Sequence, residues 1–171
     1  MVALREELLP EEVDVLARIG DDELDLDAML VVQNLYRAAT AVRTRLESVA
    51  LAPEDLSWAA FTMLFCLWVW GPLETRQLAA HMGVAKATVS GVTDTLERRG
   101  MVERRVLDDD RRLRMISLTA AGGSTFAELF PRFNRQEAMA CGSLTRREAE
   151  ELSRLLRKLV QSVRTQAHAD G

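Results

Sequence analysis

The sequence predicts a mainly α-helical protein that carries one short β-hairpin. Apolar residues recur every three or four positions through most of the 171 residues, which is typical of amphipathic helices. By contrast, residues 101–106 and 113–118 show partly alternating polarity, and they flank a charged connection over 107–112. This change of period is typical of two short strands that form a hairpin.

The N-terminal half is predicted to hold three helices of different character. A short helix can start at Pro10 within the acidic segment 1–26, although the same segment is compatible with a loose chain. A long amphipathic helix is predicted from Asp27 to about Leu51. The next helix, residues 58–70, is apolar nearly all round and is too short for a membrane span, so we expect it to be buried in the core. Ser57 is its expected N-cap.

Four more elements follow. Short helices are predicted over about 74–81 and 86–99, with Gly83 in the turn between them and Gly100 as the stop. After the hairpin, Thr119 can cap a further helix. The final helix should open with a capping box of Thr145 and Glu148. Its apolar residues look like a surface for a second copy of the chain: Ala149, Leu152, Leu155, Leu156, Leu159, Val160 and Val163.

Composition excludes several classes of protein. Two cysteines and two distant histidines cannot build a disulfide framework or a four-cysteine zinc site. The sequence has no glycine-rich phosphate loop and no catalytic Ser-His-Asp or Cys-His arrangement, so we expect neither an enzyme nor a cofactor. The N-terminus lacks the pattern of a signal peptide, which favours a cytoplasmic protein that does not contact membrane.

Charge is distributed unevenly along the chain. The net charge is −4, yet residues 1–30 hold ten acidic and two basic side chains. The remaining residues, 31–171, therefore carry a surplus of four basic side chains. A basic body with an acidic extension is compatible with a nucleic-acid partner.

The stretch from Thr75 to Leu118 is the most informative part of the sequence. Ala79 provides a small residue where two short helices could cross, and Gly83, four residues later, allows a tight turn. The second helix then has apolar anchors at suitable spacing: Val89, Val92 and Leu96. Together these residues predict a helix–turn–helix.

The face opposite these anchors is predicted to enter the major groove of double-stranded DNA. Lys86 can contact phosphate or guanine, Ala87 can meet a thymine methyl group, and Gly91 permits a close approach of the backbone. Simple solvation of these residues is the alternative interpretation. The candidate DNA-binding residues of this helix are Lys86, Ala87, Thr88, Ser90, Gly91 and Asp94.

The hairpin is interpreted as a wing. An arginine at its tip can reach the adjacent minor groove, and Asp110 can orient Arg112 through a charge-assisted hydrogen bond. Asp110, Arg111 and Arg112 are therefore further candidates for DNA binding. Three adjacent carboxylates would repel phosphate unless they point sideways or pair with arginines.

In these motifs the sequence resembles the MarR family of bacterial winged helix–turn–helix regulators. The residues that carry the resemblance are Leu78-Ala79-x-x-Met82-Gly83-Val84, Thr88-Val89-Ser90-Gly91-Val92, Leu96-Glu97-Arg98-Arg99-Gly100, Asp109-Asp110-Arg111-Arg112 and Leu118-Thr119-x-x-Gly122. The resemblance implies a homodimer, formed through the first and last two helices, on a pseudo-palindromic operator. One departure is Ala85, where the family usually has a Ser or Thr cap.

We therefore expect three regions. Residues 53–119 would form the winged helix–turn–helix DNA-binding domain, residues 27–52 and 120–171 the helical dimerisation region, and residues 1–26 an acidic N-terminal extension. The expected function is a dimeric transcriptional regulator that represses a nearby operon and is relieved by a small ligand.

The resemblance also implies a site for a small, often aromatic, effector between the dimerisation helices and the winged domain. Tyr36, Trp58, Phe61 and Phe65 are the candidates to line it, and core packing of these rings is the alternative. Two other functions remain open at this point. They are a winged-helix module for protein interaction and a redox-responsive regulator that would use one of the two cysteines.

Overall fold

The computed structural model describes residues 8–19, 24–107 and 110–169, with side chains at all of these except 106–114, 168 and 169. The described part is mainly helical and contains one small antiparallel sheet. Its elements are α1 (Pro10–Ile19), α2 (Leu26–Leu46), α3 (Trp58–Trp70), β1 (Leu73–Glu74), α4 (Thr75–Met82), α5 (Lys86–Arg98), β2 (Val102–Leu107), β3 (Asp110–Leu118), α6 (Ala120–Ala140) and α7 (Arg146–Ala169). A π-helical turn (Glu47–Leu51) and a 3₁₀ turn (Ala52–Glu54) follow α2.

The chain forms two compact units, Met1–Val42 and Arg43–Gly171. In the first unit, the predicted helix at Pro10 is confirmed as α1, and Glu12 ties it to α2. The Glu12 carboxylate is 4% exposed and accepts hydrogen bonds from Leu9 N (2.8 Å) and Asn34 Nδ2 (2.7 Å). These two bonds, the backbone one foremost, hold the pKa of Glu12 below its usual value.

The second unit is built around α3, which begins where the sequence predicts. Ser57 caps it, since the Ser57 side chain accepts a hydrogen bond from Ala60 N (3.2 Å). The first ten residues of α3 supply six buried apolar side chains, but Trp68, Val69 and Trp70 are exposed. The expectation of a helix buried along its whole length is therefore wrong for its last turn. There Trp68 packs beside Phe126 and Phe130 and Trp70 stacks on His81, but both tryptophans keep about half of their surface exposed.

The wing is a three-stranded antiparallel sheet in the order β1-β3-β2. The sequence predicts two strands, and it misses β1, whose two residues pair with Ile116 and Met115. Strand β3 starts at Asp110, so placing 110–112 in the connection is also wrong. Charged residues can continue a hairpin ladder because backbone pairing does not require apolar side chains where the strands face water.

Helix α6 starts in close contact with the end of the helix–turn–helix. Thr119 caps it: Oγ1 accepts a hydrogen bond from Gly122 N (2.9 Å) and donates one to the Gly100 carbonyl oxygen (2.6 Å). The Thr119 N–H donates to the Met101 carbonyl oxygen (3.1 Å). Gly122 is buried against the same backbone, where a Cβ atom would overlap the Met101 carbonyl group. We call these four residues the Thr119 joint.

The last helix presents an apolar face to solvent. Its predicted capping box is confirmed, since Thr145 N donates to Glu148 Oε2 (2.7 Å) and Glu148 N donates to Thr145 Oγ1 (3.3 Å). Five large apolar side chains of α7 are exposed: Leu152, Leu155, Leu156, Val160 and Val163. A contiguous apolar face of this kind is typical of an interaction surface.

In the part of the chain that the structure describes, no single helix is long and apolar enough to cross a membrane. Residues 26–54 and 58–70 meet the criteria of length and composition only when they are taken together.

Replacing Gly122 by Ala should reduce the free energy of unfolding by about 3 kcal/mol, because the added methyl group must displace the Met101 backbone. Gly123→Ala is the matched control, since a Cβ atom at Gly123 meets nothing within 4 Å. That variant should be neutral or more stable, because Ala favours a helix. Urea denaturation of both variants checks this, and equal stabilities would contradict it.

Candidate DNA-binding interface

Helices α4 and α5 form the predicted helix–turn–helix. Gly83 adopts a positive φ of 66°, which glycine tolerates without strain, and its N–H donates to the Ala79 carbonyl oxygen. Ala79 is buried, as expected for a small residue where two helices cross, and Leu78 beside it is fully buried. Glu74 opens α4 through a capping box with Gln77.

One face of α5 is anchored in the core of the second unit. Val89 and Leu96 are fully buried and Val92 packs against the core, as the sequence predicts. Thr93 is also fully buried, which sequence reasoning missed. Its hydroxyl donates to the Val89 carbonyl oxygen (2.8 Å) and so brings no unpaired polar group into the core. The spacing i, i+4, i+7 from Val89 would have identified it.

The opposite face of α5 is exposed, and all six candidate residues lie on it: Lys86, Ala87, Thr88, Ser90, Gly91 and Asp94. Ala85 is the N-cap and provides no side-chain hydrogen bond, which matches its departure from the family pattern. Because side chains do not cap this end, its N–H groups and the positive end of the helix dipole face outward. Such an end is suited to a phosphate group.

Two exposed hydroxyl groups on α5 also bond to the backbone of their own helix. Ser90 Oγ donates to the Lys86 carbonyl oxygen (3.2 Å), and Thr95 Oγ1 donates to the Gly91 carbonyl oxygen (3.0 Å). Ser90 must therefore rotate away from its own helix before it can donate to a base or a phosphate. A Cβ atom added at Gly91 would meet nothing within 4 Å, so packing within the described chain does not require glycine there.

Arg104 on β2 binds two carboxylates of α5. Its Nη2 atom lies 2.5 Å from Asp94 Oδ1, and its Nη1 atom donates to Glu97 Oε2. The Arg104 backbone N–H also donates to Glu97 Oε1 (3.3 Å). The hydrogen bond to Asp94 is the main reason why the pKa of Arg104 is raised. We call Arg104, Asp94 and Glu97 the Arg104 clamp.

Sequence reasoning missed Arg104. The sequence did contain a signal for this contact. Asp94 and Glu97 lie three residues apart, on one side of α5, and the strand that follows Gly100 returns past them.

A cavity of about 400 Å³ adjoins the clamp. Its lining residues come from α4, α5 and the sheet: Thr75, Ser90, Thr93, Asp94, Arg104 and Ile116.

The wing tip lies mostly outside the described residues. Residues 108 and 109 are not described, and Asp110, Arg111 and Arg112 are placed in β3 by their backbone alone. The predicted hydrogen bond between Asp110 and Arg112 thus lies outside the described side chains and stays a prediction.

Three of the four candidate effector residues belong to one aromatic cluster of the second unit. Phe61 is buried and stacks on Phe133, with 3.9 Å between ring centroids. Phe65 is half-buried beside Phe126 and Phe130. Trp58 is also half-buried, 6.3 Å from Phe61. Core packing thus accounts for Phe61, whereas Trp58 and Phe65 keep partly accessible rings.

The remaining candidate residues are accessible to different degrees. Tyr36 belongs to the first unit and is 71% exposed. Burial raises the pKa of the Cys66 thiol, which disfavours a reactive thiolate, whereas Cys141 is exposed. Within residues 8–19, 24–107 and 110–169, no group of three His, Cys, Asp or Glu side chains could hold a metal ion.

Comparisons with known proteins agree with this geometry. The sequence profile of the MarR family matches residues 56–113. An uncharacterised helix–turn–helix-type transcriptional regulator of Bacillus subtilis, YwaE, is 37% identical over 163 residues, which cover 94% of this chain and 95% of YwaE. The transcriptional repressor NicR of Pseudomonas putida is 26% identical over 141 residues, covering 82% of this chain and 89% of NicR.

A solved structure of Bordetella bronchiseptica BpsR superposes with a TM-score of 0.69 at 25% identity, covering 76% of this chain and 92% of BpsR. That structure concerns the regulation of BpsR DNA binding by 6-hydroxynicotinic acid.

Gly91→Ala should separate stability from recognition. The substitution should raise the free energy of unfolding by about 1 kcal/mol, because Ala is the better helix former. It should lower DNA affinity at least tenfold if the α5 backbone approaches DNA at this point. Gly123→Ala, which adds a methyl group in open space on α6, should leave DNA affinity unchanged. Urea denaturation and fluorescence anisotropy measure the two effects, and an undiminished affinity of Gly91→Ala would contradict the second.

Proposed function

The chain belongs to the MarR family of DNA-binding transcriptional regulators, which are not enzymes, and we propose that it acts as a dimeric repressor released from its operator by a small ligand. In this proposal residues 53–119 bind DNA, residues 27–52 and 120–171 form the dimer, and residues 1–26 are an acidic extension.

The observation that carries the proposal is the division of α5 into two faces. Val89, Thr93 and Leu96 fix one face in the core, and the candidate residues occupy the other. Lys86 stands at the outward, positive end of the helix, where phosphate contacts are favourable. Ser90 and Gly91 lie one turn further on, where a recognition helix faces base edges.

The exposed apolar face of α7 supports a dimer. Leucine and valine side chains on one helix gain about 25 cal/mol for each Å² of apolar surface that a partner removes from water. A second copy offers the same face, as a two-fold symmetric interface requires. The dimer then places two α5 helices on half-sites about 34 Å apart, or one turn of DNA.

The proposal of a ligand-released repressor rests on the relatives and on the aromatic cluster. NicR is a repressor, and DNA binding by BpsR is regulated by 6-hydroxynicotinic acid. In this chain, the half-buried Trp58 ring is suited to stacking on a small aromatic molecule. The Arg43 guanidinium lies 5.9 Å from the centroid of that ring and 3.4 Å from Glu47 Oε1, so a ligand carboxylate would take the place of Glu47 as its partner.

Selection of duplexes from a randomised pool, followed by footprinting, tests the DNA-binding function. We expect a protected pseudo-palindrome with half-sites about one helical turn apart. Lys86→Ala and Arg112→Ala should weaken binding to the selected duplex at least tenfold, and each lost phosphate contact should reduce the slope of log K against log salt by about 0.9. Arg18→Ala, which removes an exposed basic side chain of α1 outside the regions proposed to bind DNA or to form the dimer, is the matched control. If Lys86→Ala and Arg112→Ala both bind like the parent, the proposed surface is misplaced.

The ligand hypothesis can be tested with 6-hydroxynicotinic acid as the probe. An aromatic carboxylate of this type should quench tryptophan fluorescence and weaken operator binding at least tenfold. Trp58→Leu should abolish this response and leave operator affinity in the absence of the probe unchanged. If the probe still releases Trp58→Leu from the operator, the ligand site does not include Trp58 and lies outside the aromatic cluster.

A further inference from the structure

We propose that Arg104 is a positioning residue for DNA recognition, which pairs with Asp94 and Glu97 on α5 and fixes the root of the wing without contacting DNA itself. This inference rests on the proposed role of α5 and the wing in binding DNA. Neither the family resemblance nor the exposed face of α5 assigns a function to Arg104, and this inference provides one.

The first step is the geometry of the clamp. The two terminal nitrogens of Arg104 are directed to different carboxylates, and its side chain is only 30% exposed. Both terminal groups are therefore engaged within the protein. A phosphate that approached the remaining N–H groups of Arg104 would also meet these two carboxylates, which repel it.

The second step concerns charge on the recognition face. Asp94 and Glu97 are 62% and 40% exposed, and Asp94 lies one turn along α5 from Ser90 and Gly91. Without a partner, two carboxylates at this position would repel the phosphates that Lys86 and the helix N-terminus attract. Arg104 neutralises one of the two charges and directs both carboxylates toward the wing through hydrogen bonds.

The third step is mechanical. Strand β2 is an edge strand, and its Arg104 N–H donates to Glu97 instead of to another strand. The two carboxylates of α5 thus hold β2 through the side chain and the backbone N–H of Arg104, three residues after Met101. From Arg104 to Leu107, where β2 ends, the strand extends about 10 Å at ~3.3 Å per residue. A tilt at the clamp is therefore amplified at the tip, where Arg112 is expected to reach the minor groove.

The choice of arginine follows from its shape. A guanidinium group is a rigid fork that can serve two carboxylates at once, whereas an ammonium group is a flexible point charge. Lysine at this position would keep the charge and lose the fixed geometry. A phosphate contact, by contrast, is a role that lysine can perform.

The experiment compares the parent with three variants: Arg104→Gln, Asp94→Asn/Glu97→Gln, and the triple variant that combines them. The probe is the duplex that the parent selects from a randomised pool. Arg104→Gln should weaken binding at least tenfold. In that background, removing the two carboxylates should raise DNA affinity at least twofold, because it removes their repulsion of phosphate although β2 stays released. The same two changes in the parent should lower DNA affinity, because they release β2. A direct phosphate contact predicts the same gain in both backgrounds and would overturn the inference.

Arg104→Lys provides the conservative variant. If the clamp fixes the wing, Arg104→Lys should weaken DNA binding nearly as much as Arg104→Gln does. Its thermal midpoint should stay within a few degrees of that of the parent. Retention of affinity by Arg104→Lys would assign a charge contact with DNA and overturn the positioning role. A uniform drop in the thermal midpoint of both variants would assign a purely structural role and also overturn it.

A readout without DNA keeps this inference separate from the proposed function. In the free protein, amide hydrogen exchange of residues 103–105 should accelerate in Arg104→Gln and in Asp94→Asn/Glu97→Gln, with the core of α3 unchanged. If the parent selects no duplex, the proposed function fails and the role of Arg104 in DNA recognition fails with it. If the parent selects a duplex but exchange of β2 is unaltered in both variants, only the clamp is overturned.

Discussion

The anchoring of α5 is the constraint on which the rest of the molecule depends. Val89, Thr93 and Leu96 follow the helical period and are fully buried, so the helix cannot rotate about its axis without exposing them. Burial of one face fixes which residues are presented on the other. The buried residues thus determine which side chains α5 presents to solvent and, in the proposed function, to DNA.

Most of the helical architecture could be predicted from the sequence because its determinants are local. The apolar period locates α3 and α5, Gly83 and Gly100 adopt the positive φ that their turns need, and Ser57 and Thr119 act as caps. Each of these features depends on residues within about one or two turns of one another. These helices and turns can therefore be predicted from short stretches of the sequence.

Two features that escaped prediction depend on contacts between different secondary-structure elements. Strand β1 has only two residues and exists because Leu73 pairs with Ile116. The clamp joins Arg104 to a helix that ends before the wing begins. Thr93 was missed for another reason: a hydroxyl group that bonds to its own helix behaves in the core like a small apolar side chain. Polarity alone is a poor guide to burial at such positions.

The Thr119 joint has a consequence for how the two ends of the second unit communicate. Its hydrogen bonds attach the first turn of α6 to the backbone of residues 100 and 101, and Gly122 allows contact without any intervening side chain. A junction of this kind is stiff, because bending would stretch these hydrogen bonds or press Gly122 against the Met101 carbonyl group. We therefore expect α5 and α6 to move together as one rigid body when α6 is reoriented.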